Sequence, residues 1–348
     1  MKIAIVNDLP MAVEALRRAL AGNSGHQVVW TAADGAEAVA RCKQETPDLL
    51  LMDLVMPGMD GVEATRRIMD ETPCAILIVT SSVGANTWRV FDAMGHGALD
   101  AVDTPVLGGD PRTGAASLLA KIDAIGRLIG GGRPVAMPAV RRQSVGIERL
   151  VAIGASAGGP AALSALLSAL PGDFPAAVVI VQHVDRQFAV GMAEWLRQHS
   201  RLPVQVAEEG DRPQPGRVLL AGTNDHLAFT SAHRLGYTRE PVDCVYRPSV
   251  DAFFHSVCRF WPGETIGVLL TGMGRDGALG LKALRDRGWH TIAQDRTTSA
   301  VYGMPKAAAD VSAAVEILAL DRIARRLVER FGRVPQGGAR TVAMPPTE

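Results

Sequence analysis

The run Gly154-Ala155-Ser156-Ala157-Gly158-Gly159-Pro160 sits between the apolar stretch RLVAI and the helix-forming AALSALLSAL. A glycine-rich turn from strand to helix can do one of two things. It can wrap a phosphate with backbone N–H groups, or it can lift a serine hydroxyl above a sheet edge. The dinucleotide pattern requires a second glycine where Ser156 stands and an acid at the end of the next strand. That strand instead ends in His183, with Asp185 two residues on, and no GK[ST] follows to make a P-loop. The pattern G-x-S-x-G is satisfied. Small neighbours let a substrate reach the hydroxyl, and the helix start behind it offers free N–H groups for a developing oxyanion. Ser156 is therefore the candidate nucleophile, with a simple helix cap as the alternative.

Such a serine needs a base, and the base needs an acid to orient it. Eight histidines compete. His26, His199 and His233 fall at helix ends or in loops and read as solvated surface, and His96 belongs to the first half of the chain. His255 lies on the apolar helix AFFHSVC, a core setting, and His290 opens or precedes a late strand. His183 ends the buried strand AAVVIVQH beside the serine's own strand–helix unit, so it points at the same edge. His226, with Asn224 and Asp225 next to it, is the rival; strand-end geometry favours His183. For the acid, Asp276 in LLTGMGRDGALGLKAL stands between a buried strand and a helix. Capping of that helix is the alternative, and Asp251 and Asp295 also follow element ends. The order Ser, His, Asp differs from that of the α/β-hydrolases, a poor match.

A second set of reactive residues lies nearer the N-terminus. One strand ends at Asn7-Asp8, another at Asp53, a third at Thr80-Ser81 and a fourth near Asp103-Thr104-Pro105. Chemistry in an open parallel sheet collects beyond such carboxyl ends. Carboxylates converging on one edge repel each other and invite a divalent cation; Mg²⁺ favours these oxygen ligands. With it, Asp53 could accept a phosphoryl group as an acyl phosphate. Helix capping by Asp8 and Asp53 is the plainer alternative.

The elements that must hold these residues follow from apolar periodicity. KIAIV, VVWTA, DLLLMD, AILIVT and ALDAVD read as buried strands, and AVEALRRAL, GAEAVARCKQ, GVEATRRIM, TWRVFDAMG and ASLLAKIDAIGRLI as the helices between them. After the Gly/Pro-rich GGGRPVAMPAVRRQSVGIE a second series begins, with strands LVAIG, AAVVIVQH, RVLLA, TIGVLLTG and HTIAQ. The fold class is α/β, with two doubly wound parallel-sheet domains. The expected division is a first domain over 1–125, a linker over 126–148, a second domain over 149–332 and a flexible tail over 333–348.

Composition narrows the function. At 348 residues the chain is long enough for two cores, and its 36 basic and 36 acidic residues leave no charge excess for nucleic acid or an anionic membrane. Four scattered cysteines, with no CxxC, suggest neither a zinc site nor a disulfide framework. The start MKIAIVND lacks a signal-peptide core. The uncharged run from Leu150 to Gly172 mimics a membrane span in length, but its glycines and prolines break it into strand, turn and helix. A cytoplasmic protein without direct membrane insertion is expected.

Two resemblances emerge. MDLVMPGMDG around Asp53, Thr80 ending AILIVT and Asp8 after IAIV resemble a response-regulator receiver domain. GASAGGP, IVQH, YRPSVDAFFHSV and LLTGMGRDGA, in this order behind it, resemble the CheB family of chemotaxis methylesterases across nearly the whole chain. The IVNDLP start and the DTP segment resemble a Wsp-type branch associated with surface sensing. The resemblance implies Ser156 as nucleophile, His183 as base, Asp276 as orienting acid, and the backbone N–H of Met273 in the oxyanion hole. In the receiver it implies phosphorylation at Asp53, Mg²⁺ held by Asp8, Asp53 and the carbonyl of Val55, and Thr80 as the switch hydroxyl; it implies no cofactor in the second domain. The implied substrate is a glutamate γ-methyl ester on a methyl-accepting chemoreceptor, with glutamine deamidation alongside, and the implied phosphodonor is a CheA-type histidine kinase. The unphosphorylated receiver is expected to obstruct the active site. Three positions depart from the family pattern: Asn7 replaces an acid, Thr104 a lysine, and Ala157 a threonine found in some members. A binding module with a vestigial site and an NAD-type oxidoreductase are the competing functions.

Overall fold

The computed structural model describes residues 1–21, 25–81, 86–105, 115–129, 148–242 and 244–331. Its first domain is a five-stranded parallel sheet ordered β2-β1-β3-β4-β5, with β1 at Lys2–Val6, β2 at Gln27–Ala32, β3 at Leu49–Met52, β4 at Ala75–Thr80 and β5 at Asp100–Asp103. Every residue of β3 and β4 is buried, which requires cover on both faces. Helices α1 (Pro10–Ala21), α2 (Gly35–Gln44), α3 (Gly61–Glu71), α4 (Thr87–Gly95) and α5 (Ala116–Ile129) supply it. Asp34 and Asp60 cap α2 and α3 through their side chains, fixing where those helices begin. Helix α5 continues to Ile129, past the expected boundary at 125, one turn beyond the last buried residue of its apolar stripe, Leu118, Ile122 and Ile125.

The second domain holds a seven-stranded parallel sheet ordered β14-β13-β12-β6-β7-β9-β8. Its strands are β6 (Arg149–Ala155), β7 (Ala177–Gln182), β8 (Val204–Val206), β9 (Val218–Leu220), β12 (Glu264–Leu269), β13 (His290–Gln294) and β14 (Glu316–Leu318). A separate antiparallel hairpin, β10 (His226–Ser231) with β11 (Arg234–Thr238), lies outside the strands anticipated above. Helices α6 (Gly159–Ser168), α7 (Arg186–His199), α8 (Val250–Phe260), α9 (Ala278–Asp286), α10 (Met304–Asp310) and α11 (Leu320–Phe331) complete the layers. The chain runs from β6 to β7 on one side and returns to β12 on the other. Ligands in such sheets bind where the order reverses, beyond the carboxyl ends of β12, β6 and β7. No helix among the described residues is long and apolar enough to cross a membrane. The uncharged run from Leu150 is strand β6, a turn and helix α6.

Candidate active site

Parallel pairing sets Ala155 opposite Gln182, so Ser156 and His183 leave adjacent strands side by side. The His183 N–H donates to Ala155 O at 3.0 Å, and the Ser156 N–H donates to Thr271 O at 3.0 Å, tying the turn to both neighbours. Gly158 caps α6 at φ +76°, and a Cβ there would meet the Ala300 Cβ at 2.5 Å. Only glycine makes this turn without strain. Gly272 lies against the Ser156 side chain with no room for a Cβ, and the next N–H, that of Met273, has no hydrogen-bond partner among the described residues.

His183 Nε2 lies 2.7 Å from Asp276 Oδ2. Asp276 also accepts the N–H groups of Val250 at 2.7 Å, Asp251 at 3.0 Å and Gly277 at 3.0 Å, and the Ser249 hydroxyl at 2.9 Å. Burial opposes its ionisation, but the bond and charge of His183 and these backbone donors hold its carboxyl below the usual range. A fixed anion at Nε2 keeps the proton on that nitrogen and leaves Nδ1 as the basic one. His183 Nδ1 and Ser156 Oγ are both buried and unpartnered among the described residues. Tyr246 stacks on the imidazole at 4.1 Å between ring centroids, 21° from parallel. It was missed as a site residue, because nothing in a sequence says which ring an aromatic will cover. Burial pushes its phenol far up, so it stays neutral against the histidine.

The rival base is occupied. His226 is fully buried, its Nε2 bonded to Pro241 O at 3.0 Å and its Nδ1 accepting the Ser249 N–H at 2.9 Å. With both nitrogens used, it holds the chain around the site. His255 is half-buried on α8, and His290 opens β13 against Glu316 at 2.8 Å. Two surface assignments need correcting. The His26 side chain is only 10% exposed, covered by α5 and 3.6 Å from Asp123, and His233 pairs with Glu148 at the hairpin turn. His199 is exposed as expected. Asp295 folds back on Thr297 and Thr298 of its own loop, away from the histidine.

In the first domain, Asp53 is buried at the end of β3. Its Oδ1 accepts the Leu54 N–H at 2.7 Å, and its Oδ2 accepts the Asn7 amide at 2.9 Å. Burial raises its carboxyl above the usual range, the charge of Asp8 adds to that, and hydrogen bonds from Leu54, Val55 and Thr80 oppose it. Asp53 with the neighbouring Asp8 carboxylate is a donor set whose repulsion a hard dication would relieve. Thr80 is buried and accepts the Asn86 amide at 3.3 Å, and the Thr104 N–H donates to Thr80 O.

A family model described as CheB methylesterase matches residues 151–327, and one described as response regulator receiver domain matches residues 3–108. A protein-glutamate methylesterase/protein-glutamine glutaminase of Pseudomonas savastanoi pv. phaseolicola is 64% identical over 95% of this chain and 99% of its own. The chain belongs to the CheB methylesterase family. A Pseudomonas putida relative, protein-glutamate methylesterase/protein-glutamine glutaminase of group 3 operon, is 63% identical over 96% of this chain and all of its own. The crystal structure of the Thermotoga maritima CheB methylesterase catalytic domain superposes with a TM-score of 0.51 at 33% identity, covering 53% of this chain and all of that one.

In this CheB-family chain the receiver packs directly on the catalytic domain beside the serine. The Gly158 N–H, two residues past Ser156, donates to Met94 O at the end of receiver helix α4, 2.7 Å away. Phe91 of α4 meets Trp195 of α7 with ring centroids 6.0 Å apart. Lys121 of α5 bonds Asp100 at 2.7 Å, reaches Asp185 of the catalytic domain at 3.6 Å and lies over the Phe188 ring. Ala157, Met273 and Val301 join an apolar layer with receiver residues such as Val102 and Leu118. Ser156 is left 1% exposed.

Proposed function

We propose that this chain is a protein-glutamate methylesterase that also deamidates glutamine, regulated by phosphorylation of its receiver. One observation carries the reading: the 2.7 Å His183–Asp276 bond at the strand edge beside Ser156. Ser156 Oγ attacks the γ-ester carbonyl and His183 Nδ1 takes its proton. The oxyanion is held by the Met273 N–H, joined by the Gly158 N–H once the receiver has released it. Collapse expels methanol, which takes the proton back from His183. Water then attacks the acyl-enzyme as His183 takes its proton, and His183 returns that proton to Ser156 Oγ as the acyl bond breaks; with glutamine, ammonia leaves in place of methanol. The substrate is a methyl-accepting chemoreceptor and the phosphodonor a CheA-type histidine kinase, both reached from the cytoplasm.

Asp53 is the phosphoryl acceptor and Thr80 the hydroxyl that follows its state. Asp8, Asp53 and the Val55 carbonyl would hold Mg²⁺, whose charge, when bound, offsets that of the carboxylates and incoming phosphate. The closed packing supports a receiver that withholds the site until phosphorylated. The domains are taken to divide in the 126–148 segment, of which residues 130–147 lie outside the described residues, as does the expected tail over 333–348. The test is methanol release from methylated receptor. Ser156→Ala should abolish it, His183→Ala should nearly do so, and Asp276→Asn should be severe but milder, all with unchanged folding. Substantial turnover by Ser156→Ala ends the mechanism.

A further inference from the structure

We propose that Asp251 is a positioning residue that, with Ser249, fixes the acid of the site by an exchange of carboxylates between two helix starts. The inference rests on the reading of Ser156, His183 and Asp276 as the hydrolytic group. Helices α8 and α9 begin side by side. Asp276, just before α9, accepts the first N–H groups of α8, those of Val250 and Asp251. Asp251, in the first turn of α8, returns the bond: its Oδ1 accepts the Gly280 N–H of α9 at 2.6 Å. The α9 cap is Gly277, which has no side chain to serve those donors, so the carboxylate must come from the other helix.

The exchange has little slack. A Cβ on Gly280 would meet the Phe254 Cβ at 2.6 Å and the Asp251 Cα at 3.1 Å, so the two helices touch where the bond is made. Ser249 adds a third tie. Its hydroxyl donates to Asp276 Oδ1 at 2.9 Å and accepts the Ala252 N–H at 3.2 Å, while its N–H is held by His226. The Asp276 carboxylate is thereby aimed at His183 by the junction rather than by its own turn alone.

Two charged carboxylates sharing this partly buried junction would repel each other. Burial and the charge of Asp276 push the Asp251 carboxyl up to about 8, while N–H groups of Gly280, Gly277 and Leu279 pull the other way. At neutral pH the raised carboxyl favours its protonated form, in which the exchange contains one negative charge, on Asp276. Asparagine reproduces that state. It is neutral, of the same shape, and keeps an oxygen for the Gly280 N–H.

The experiment measures kcat and KM for methyl-ester hydrolysis by the full chain with saturating phosphodonor. Loss of aim by a fraction of an ångström should lower kcat for Asp251→Ala about ten- to hundredfold, with KM within about twofold. Asp251→Asn should recover most of the turnover. The downfield proton of His183 Nε2–H should persist in Asp251→Asn and weaken in Asp251→Ala. Thermal unfolding checks each fold. If Asp251→Ala does not fold, Ser249→Ala carries the test, with the same fall in kcat at constant KM expected. Wild-type kcat in the alanine variant that is tested, or an asparagine variant as impaired as Asp251→Ala, overturns the proposal. An inactive wild type, or an active Ser156→Ala, overturns the hydrolytic reading itself and the proposal with it; an active wild type indifferent to position 251 overturns the proposal alone.

Discussion

Lys121→Met should raise the basal activity of the unphosphorylated enzyme. Lys121 is the cation between receiver Asp100 and catalytic-domain Asp185, with its side chain only 11% exposed. At 3.6 Å from Asp185 and an effective dielectric of about 20, the attraction is about 4–5 kcal/mol before desolvation. Withdrawing the ammonium from water offsets most of it, leaving about 1–2 kcal/mol in favour of the closed arrangement. Methionine keeps the apolar stem over Phe188 and removes only the charge. A loss of that size multiplies the open population about five- to thirtyfold. The assay is methanol release without phosphodonor, wild type against Lys121→Met. The phosphodonor-stimulated rate should rise too, by a smaller factor, since phosphorylation and the substitution act on the same closed arrangement. Basal turnover within about twofold of wild type would refute the latch. A parallel fall of basal and stimulated rates would refute it differently, by tying Lys121 to the site itself.

His226→Ala strips a partner from the buried Ser249 N–H; it should cost about 1–3 kcal/mol of stability, read by denaturant unfolding, and leave measurable turnover. A folded but dead His226 variant would restore it as the base. Asp251 should also appear in the pH dependence of stability. Its folded value, about 8, lies above the usual 3.8, so its contribution is full below pH 4 and is lost as pH rises to 8. The stability advantage of Asp251→Asn over wild type should therefore grow across that window and level off above it. Asp276, His255 and Cys244 titrate or carry charge nearby, so the difference between the two proteins, not either curve alone, is the measurement. At Thr104, a short neutral hydroxyl offers an incoming phosphoryl group no charge. Activation by phosphodonor should be modest in wild type, stronger in Thr104→Lys and absent in Asp53→Ala. Strong wild-type activation that lysine weakens would point to another route of coupling.

The receiver sheet was legible because β3 and β4 are apolar on both faces and each strand ends in polar punctuation. The hairpin was not: β10 buries four residues in succession before two exposed ones, so no period of two appears. Strands β8 and β14 have three residues each, too few to register a pattern. At the site, Ser156 and His183 could be found because each follows a buried strand. Asp276 was visible as a turn acid, but the partners that aim it lie 25–27 residues earlier on another helix, beyond any local pattern. The engagement of His226 was equally hidden, since its partners are backbone groups of Pro241 and Ser249.

The Gly158 N–H bonded to Met94 O is made entirely of backbone. Among substitutions only a proline at position 158 removes the donor, so this contact tolerates sequence drift that would erase an ion pair. On the function proposed above, the receiver and a substrate seated at the Ser156 turn are mutually exclusive occupants. Exclusion of this kind is reciprocal in free energy. If phosphorylation raises affinity for the receptor by some factor, a bound receptor must favour the phosphorylated receiver by that same factor. Occupancy by substrate would then feed back on the phosphorylation equilibrium, shifting it toward the phosphorylated receiver by that factor.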